Sequence, residues 1–150
     1  MKFKNVIPFE GLDFIKIYSD INVVKEQLKE SKLNYVEEIW DNGECSVKYN
    51  WHILTIDDSI MLFFSEGNNK LFKISILNNC AASLPNGIKL GIDINQALKI
   101  DDTLVYDEWE EDFESVNGYW LEENCETNSI YSISIFVHEI NDEDFDSCKW

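Results

Sequence analysis

The sequence predicts an α+β fold: an antiparallel sheet with two helices on one face, built as two tandem helix-plus-β-meander units. Three observations carry this reading. Blocks of sequence recur in the same order, aspartates precede helically spaced apolar residues, and strictly alternating runs follow each helix. FIKIYSDIN (14–22) matches GIKLGIDIN (87–95), so that Ile15, Lys16, Ile17, Asp20, Ile21 and Asn22 face Ile88, Lys89, Leu90, Asp93, Ile94 and Asn95. LNYVEE (33–38) then matches LVYDEW (104–109), and KLFKISIL (70–77) matches SIYSISIF (129–136). The spacing shortens in the second copy because the first carries about a dozen extra residues around CSVKYNWHILTI. The units run from about 12 to 80 and from 85 to 138 of a single 150-residue domain, with an acidic tail over 139–150.

Each unit opens on a helix. Asp20 and Asp93 are N-caps, placed to accept a hydrogen bond from an orphan amide of the first turn. Beyond Asp20 the apolar Ile21, Val24, Leu28 and Leu33 keep near-helical spacing, and Ile94, Ala97 and Leu98 do so in a shorter second helix. Strands follow, seven or eight in all. Leu71, Lys73, Ser75 and Leu77 alternate against Phe72, Ile74 and Ile76, and Tyr131, Ile133, Ile135 and Val137 form the apolar face of the second copy's last strand. Turns are expected at DNGE (41–44), DDS (57–59), EGNN (66–69) and NCETN (124–128), with LPNG (84–87) joining the units.

Charge is the unusual property. The formal net charge is -17, and arginine is absent. Residues 1–100 hold 13 acids against 11 lysines, whereas residues 101–150 hold 16 acids against one. Such a field repels nucleic acid and anionic membrane and attracts basic proteins. The start, MKFKNVIPFEG, lacks the apolar stretch of a secretory signal, and no window approaches a membrane span. Cys45, Cys80, Cys125 and Cys148 form no CxxC pair, which argues against zinc; their number allows two disulfides, but free buried thiols in a reducing cytoplasm are the expectation.

No motif for chemistry emerges. His52 and His138 lack a recognisable nucleophile partner and read as structural or surface residues. There is no phosphate loop, HExxH or nucleophile elbow. Asp142, Asp144 and Asp146 resemble the opening of a calcium loop, but Ser147 stands where its glycine belongs and the required glutamate would lie past Trp150. The expectation is therefore neither an enzyme nor a metal or cofactor protein.

What remains is YDEWEEDFESVNGYWLEENCE (106–126), with nine carboxylates, five aromatic rings and no basic residue. A helix through it would align Trp109, Phe113, Val116 and Trp120, but Gly118 and the repeat favour strands. One reading turns Trp109 and Phe113 inward and leaves the acids outward for solubility. The other is a protein-binding face, since aromatic rings anchor interfaces and like charge steers an opposite partner.

PNGIKLGIDINQALKI, LVYDEWEEDF and SIYSISIFV together resemble the endings of small immunity proteins of bacterial polymorphic-toxin and contact-dependent growth-inhibition systems. The tandem helix-and-sheet units are also similar to the arrangement of β-lactamase inhibitor proteins and related outer-membrane assembly lipoproteins, although no lipoprotein cysteine stands near the start and Tyr18 and Ser19 replace Gly91 and Ile92. The resemblance implies a cytoplasmic inhibitor, monomeric alone and heterodimeric with a basic, nuclease-like toxin. The implied binding residues are Asp107, Glu108, Glu110, Glu111, Asp112, Glu114, Glu122 and Glu123 for charge, with Trp109, Tyr119 and Trp120 as anchors. A different class of function, a small-molecule-binding domain or enzyme with a pocket between sheet and helices, would draw on Trp40, Trp51 and His52.

Overall fold

The computed structural model describes residues 2–41 and 49–150. Three two-residue strands come first: β1 (Val6–Ile7), β2 (Gly11–Leu12) and β3 (Ile15–Lys16). They form a small antiparallel sheet of their own, which the sequence pattern does not announce because two residues are too few to show alternation. Unit one follows as α1 (Ile21–Glu30), β4 (Val36–Trp40), β5 (Trp51–Ile56), β6 (Ile60–Ser65) and β7 (Leu71–Leu77). Unit two repeats the plan as α2 (Ile94–Ile100), β8 (Val105–Asp107), β9 (Asp112–Ser115), β10 (Tyr119–Glu123) and β11 (Ile130–Phe136). Strands β4 to β11 make one eight-stranded antiparallel sheet in the order β4-β5-β6-β7-β11-β10-β9-β8.

That order reads the same from either edge once the units are exchanged. At its centre β7 and β11 pair with Ser75 opposite Ser134, and the two hydroxyls bond at 2.7 Å. These serines occupy equivalent positions of the repeat, so a pseudo-two-fold axis crosses the sheet between them. Equivalent backbone bonds tie each helix entry to its own last strand. The Tyr18 and Gly91 amides donate to the Leu71 and Ile130 carbonyls at 2.8 Å, and the Leu71 and Ile130 amides donate to Ser19 and Ile92 at 2.9 Å. Tyr18 (φ 71°) therefore holds the left-handed backbone that glycine supplies in unit two (Gly91, φ 92°). Its hydroxyl, bonded to Glu139 at 2.6 Å, helps keep it there.

Both N-caps form: Asp20 accepts from the Asn22 amide and Asp93 from the Asn95 amide. The helices bury Ile21, Val24 and Leu28 in α1 and Ile94 and Ala97 in α2. Lys25 of α1 reaches Glu37 of β4, which fixes the helix-covered face as the one carrying Leu54, Ile60, Leu62, Ile74, Ile76, Ile133, Ile135 and Leu121. The turn at Ile56–Ser59 has left-handed φ at both Asp57 and Asp58, which matches the twist of the strands it joins. Turns also occur at 66–69 and 124–128; DNGE falls largely outside the described residues.

Three expectations change. First, Val36 pairs with Thr55 and Val105 with Glu114, so Val36 and Val105 are equivalent, two residues off the match of LNYVEE with LVYDEW. An even slip keeps every side chain on its face. Second, bulges at Phe72 and Tyr131 break the alternation in β7 and β11. Phe72 meets Trp51 and Phe63 on the helix-free face, and Tyr131 is exposed there rather than forming part of the apolar row. Third, the C-terminal segment is more than a solvated acidic tail. Phe145 and Trp150 stack at 5.1 Å and cover Phe72, while Asn68 and Lys70 donate to the Trp150 carbonyl.

Candidate functional site

The acidic aromatic run builds the outer part of unit two. Asp107 closes β8 and accepts from the Trp109 and Glu110 amides, which folds 108–111 into a tight turn. Glu108, Glu110 and Glu111 project into solvent, and Trp109 between them is 96% exposed. The reading that turned Trp109 inward is therefore wrong: the turn residues have no sheet face to point into. The same reading left the acids outward, and Asp112 corrects it, with only 6% of its surface exposed.

The helix-free face is traversed by one continuous row of paired residues: Val36, Thr55, Met61, Ser75, Ser134, Trp120, Glu114 and Val105. Beside it in unit one lie Glu38, Ile53, Phe63 and Lys73. The pseudo-symmetric positions in unit two hold Asp107, Asp112, Glu122 and Ser132. The pseudo-symmetry thus puts a buried carboxylate where its counterpart is a fully buried isoleucine.

Electrostatics follow from that placement. Burial, together with the charges of Asp107, Glu110 and Glu122, pushes the Asp112 carboxyl up to about 6. Burial and a shared hydrogen bond with Asp107 push Glu114 up to about 7, with Asp112 and Glu110 adding repulsion. In its protonated form Glu114 can donate to Asp107, whereas two ionised carboxylates repel each other. Asp107 itself is held low, by backbone donation from Glu110 first and then by Glu114. Lys73 brings a cation to this face. Its ammonium sits 4.5 Å from the Phe63 ring and 5.7 Å from the Trp120 ring. Burial lowers its pKa, against the pull of Glu122, Asp112 and Glu110. Asp112 Oδ1 is buried and has no hydrogen-bond partner among the described residues.

The sequence-predicted binding residues thus divide. Asp107, Asp112, Glu114, Trp120 and Glu122 share the helix-free face, where Glu122 also bonds the Tyr131 hydroxyl. Glu108, Trp109, Glu110 and Glu111 form the adjoining turn, and Glu123 is half-buried at the end of β10. Tyr119 is no surface anchor. It is 1% exposed on the helix-covered side, where its hydroxyl bonds the Asp101 carboxylate. Burial and Asp101 raise Tyr119 to about 12. Burial opposes ionisation of Asp101, but Ser115, Thr103, Tyr119 and Asn117 all donate to it and hold it well below the usual carboxylate range. Sequence reasoning missed Asp101 and Lys73, because only the fold brings their partners to them.

The pocket of Trp40, Trp51 and His52 does not assemble. Trp51 and His52 are neighbours in β5 and point to opposite faces. His52 sits 3.5 Å from Glu37, and Trp40 and Trp51 pack edge-on to Phe63. His138 stacks on Phe9 at 3.9 Å. An apolar cavity of about 350 Å³ does exist elsewhere, lined by Pro8, Phe9, Leu84, Pro85, Asn117 and Tyr119 among others. Cys80 and Cys148 are half-buried free thiols, whereas Cys125 is exposed rather than buried. Among the described residues no cluster of His, Cys, Asp and Glu is placed to hold a metal ion, and no helix is long and apolar enough to cross a membrane.

Compared with protein-family models, curated proteins and solved structures, the chain matches none.

Proposed function

We propose that the chain is an immunity protein that acts in the cytoplasm by binding and neutralising a basic, nuclease-like protein toxin, without chemistry of its own. The observation that carries this reading is Trp109, exposed to 96% in a turn whose other side chains are Glu108, Glu110 and Glu111. A tryptophan left in water forgoes the hydrophobic gain of burial, about 2 kcal/mol or more when a partner covers it. The surrounding acids supply the steering field for a basic partner and none for nucleic acid.

The test is co-expression with the product of the adjoining gene, scored for growth and for a one-to-one complex. Protection by the wild-type chain is expected, with affinity falling as salt rises. Trp109→Ala combined with Glu108, Glu110 and Glu111→Gln is expected to lose both protection and salt sensitivity. Full protection by that variant, with the fold intact, would remove this surface from the mechanism. A second reading, an apolar small molecule in the cavity of Pro8, Phe9, Leu84 and Pro85, is favoured by its lining. Its sign would be a thermal shift with an apolar ligand that Phe9→Ala abolishes.

A further inference from the structure

We propose that the carboxylates of Asp107, Asp112, Glu114 and Glu122 form the receptor for one arginine side chain of the basic partner. The proposal rests on the reading of the chain as a binder of a basic protein, and it adds which group of that partner is recognised and what accompanies recognition.

Four acids on three strands would by themselves be a surface cluster. Asp112 makes this one different. It is more than nine-tenths buried, and its Oδ1 finds no donor among the described residues. An unmet acceptor of this kind carries the whole cost of its desolvation. The copy of the same position in unit one is Ile53, fully buried, so the architecture has no need of a polar group there. The nearby Lys73 does not meet the demand either: its ammonium sits over the Phe63 and Trp120 rings, with no hydrogen bond to Asp112 Oδ1.

With Asp107, Glu110 and Glu122 around that oxygen, a donor that is cationic and serves several oxygens at once suits the site best. A guanidinium fits, since its planar fork offers five donors in fixed directions and stays charged when desolvated. A metal ion fits less well, because these side chains are not grouped as ligands. The charged groups facing Asp112 are Asp107 from β8, Glu110 from the turn, Glu122 from β10 and Lys73 from β7. Glu114 lies diagonally across from Asp107, and its own carboxyl is pushed up by burial and by these neighbouring acids. An incoming guanidinium favours the ionised form of all of them, so docking releases the protons held on Asp112 and Glu114. Affinity then rises with pH across the range in which the free protein loses those protons.

The probe is a blocked Gly-Arg-Gly peptide titrated into the full chain, with the neutral citrulline peptide as control. Carboxyl carbon resonances of Asp112 and Glu114 are followed near neutral pH. The arginine peptide is expected to drive both towards their ionised positions saturably, and the citrulline peptide to leave them unmoved. Asp112→Asn is expected to weaken peptide binding about tenfold or more. Glu114→Gln, which removes one receptor carboxylate but keeps Asp112, is expected to weaken binding less than Asp112→Asn and to reduce the proton release. No movement with arginine, equal movement with citrulline, or saturation by calcium instead would each overturn the receptor. The two proposals fail separately. A toxin that binds Asp112→Asn as tightly as wild type sinks the receptor and leaves the inhibitor. A peptide that titrates while no basic protein binds sinks the inhibitor and leaves the receptor.

Discussion

Unit one and unit two share a backbone plan but fill it with opposite chemistry. On the helix-covered side, unit one places Leu28, Ile56 and Ile60 where unit two places Asp101, Ser115 and Tyr119, and all six are buried. On the other side, unit one has Ile53 and Phe63 where unit two has Asp112 and Glu122. Unit two has thus become polar on both faces, with different results. Asp101 is fully served by Ser115, Thr103, Asn117 and Tyr119, whereas Asp112 keeps an orphan oxygen. A buried acid whose partners all lie within the chain holds the fold together. One whose oxygen finds no donor among the described residues bears its desolvation uncompensated, and that oxygen is open to a donor from a partner.

The largest test of this contrast is Asp101→Ala. It leaves two of the buried donors, Ser115 and Tyr119, without their acceptor, so unfolding in urea should show a loss of about 3 kcal/mol. A loss below about 1 kcal/mol would mean water replaces the carboxylate and the network is not structural.

Asp112→Ile, which copies unit one, should act in the opposite direction. At neutral pH it removes an unpaired charge and adds apolar burial, so a gain of roughly 1–2 kcal/mol is expected once solvent screening is allowed for. The sign of the pH dependence follows from the raised folded-state values. Between the ordinary carboxylate range and about 6 for Asp112 or about 7 for Glu114, the native state holds more protons than the unfolded one. Stability contributed by the protonated forms is therefore lost as pH rises through that window and is fully present below it. The variant should flatten this slope and show a smaller advantage at acid pH. An unchanged slope would place the protons elsewhere.

The pseudo-two-fold axis offers a smaller test. Ser75→Ala or Ser134→Ala alone strands one buried hydroxyl and should cost about 1 kcal/mol, and the double variant should cost less than the two losses together. Simple additivity would show that the Ser75–Ser134 bond contributes nothing.

Much of the fold was legible because the repeat doubled each signal. Asp20 and Asp93 marked both helix starts, and the alternation of 70–77 and 129–136 marked the central pair. What local periodicity could not show were features set by partners far along the chain. The bulges at Phe72 and Tyr131 depend on strand register, and the inward turn of Asp112 depends on which face of β9 meets Glu122. The sequence reads Tyr119 as a surface anchor because it is a ring of the acidic aromatic run, yet its place is set by Asp101, eighteen residues away in sequence. The acidic run itself was found from composition alone, and composition could say that a face exists but not which residues share it.

The smallest expected effect falls on the most conspicuous residue. Trp109 is almost wholly in solvent, so Trp109→Ala should leave stability within about 0.5 kcal/mol of wild type. Its strand neighbour Phe113 packs against Tyr106 at 5.0 Å, and Phe113→Ala should cost about 2–3 kcal/mol. The pair separates the two uses of aromatic rings in unit two. If Trp109→Ala abolishes partner binding while the urea midpoint stays fixed, the ring serves association alone. If instead the midpoint falls as far as it does for Phe113→Ala, Trp109 packs against the chain in solution, and the acids around it would be there to keep that turn soluble.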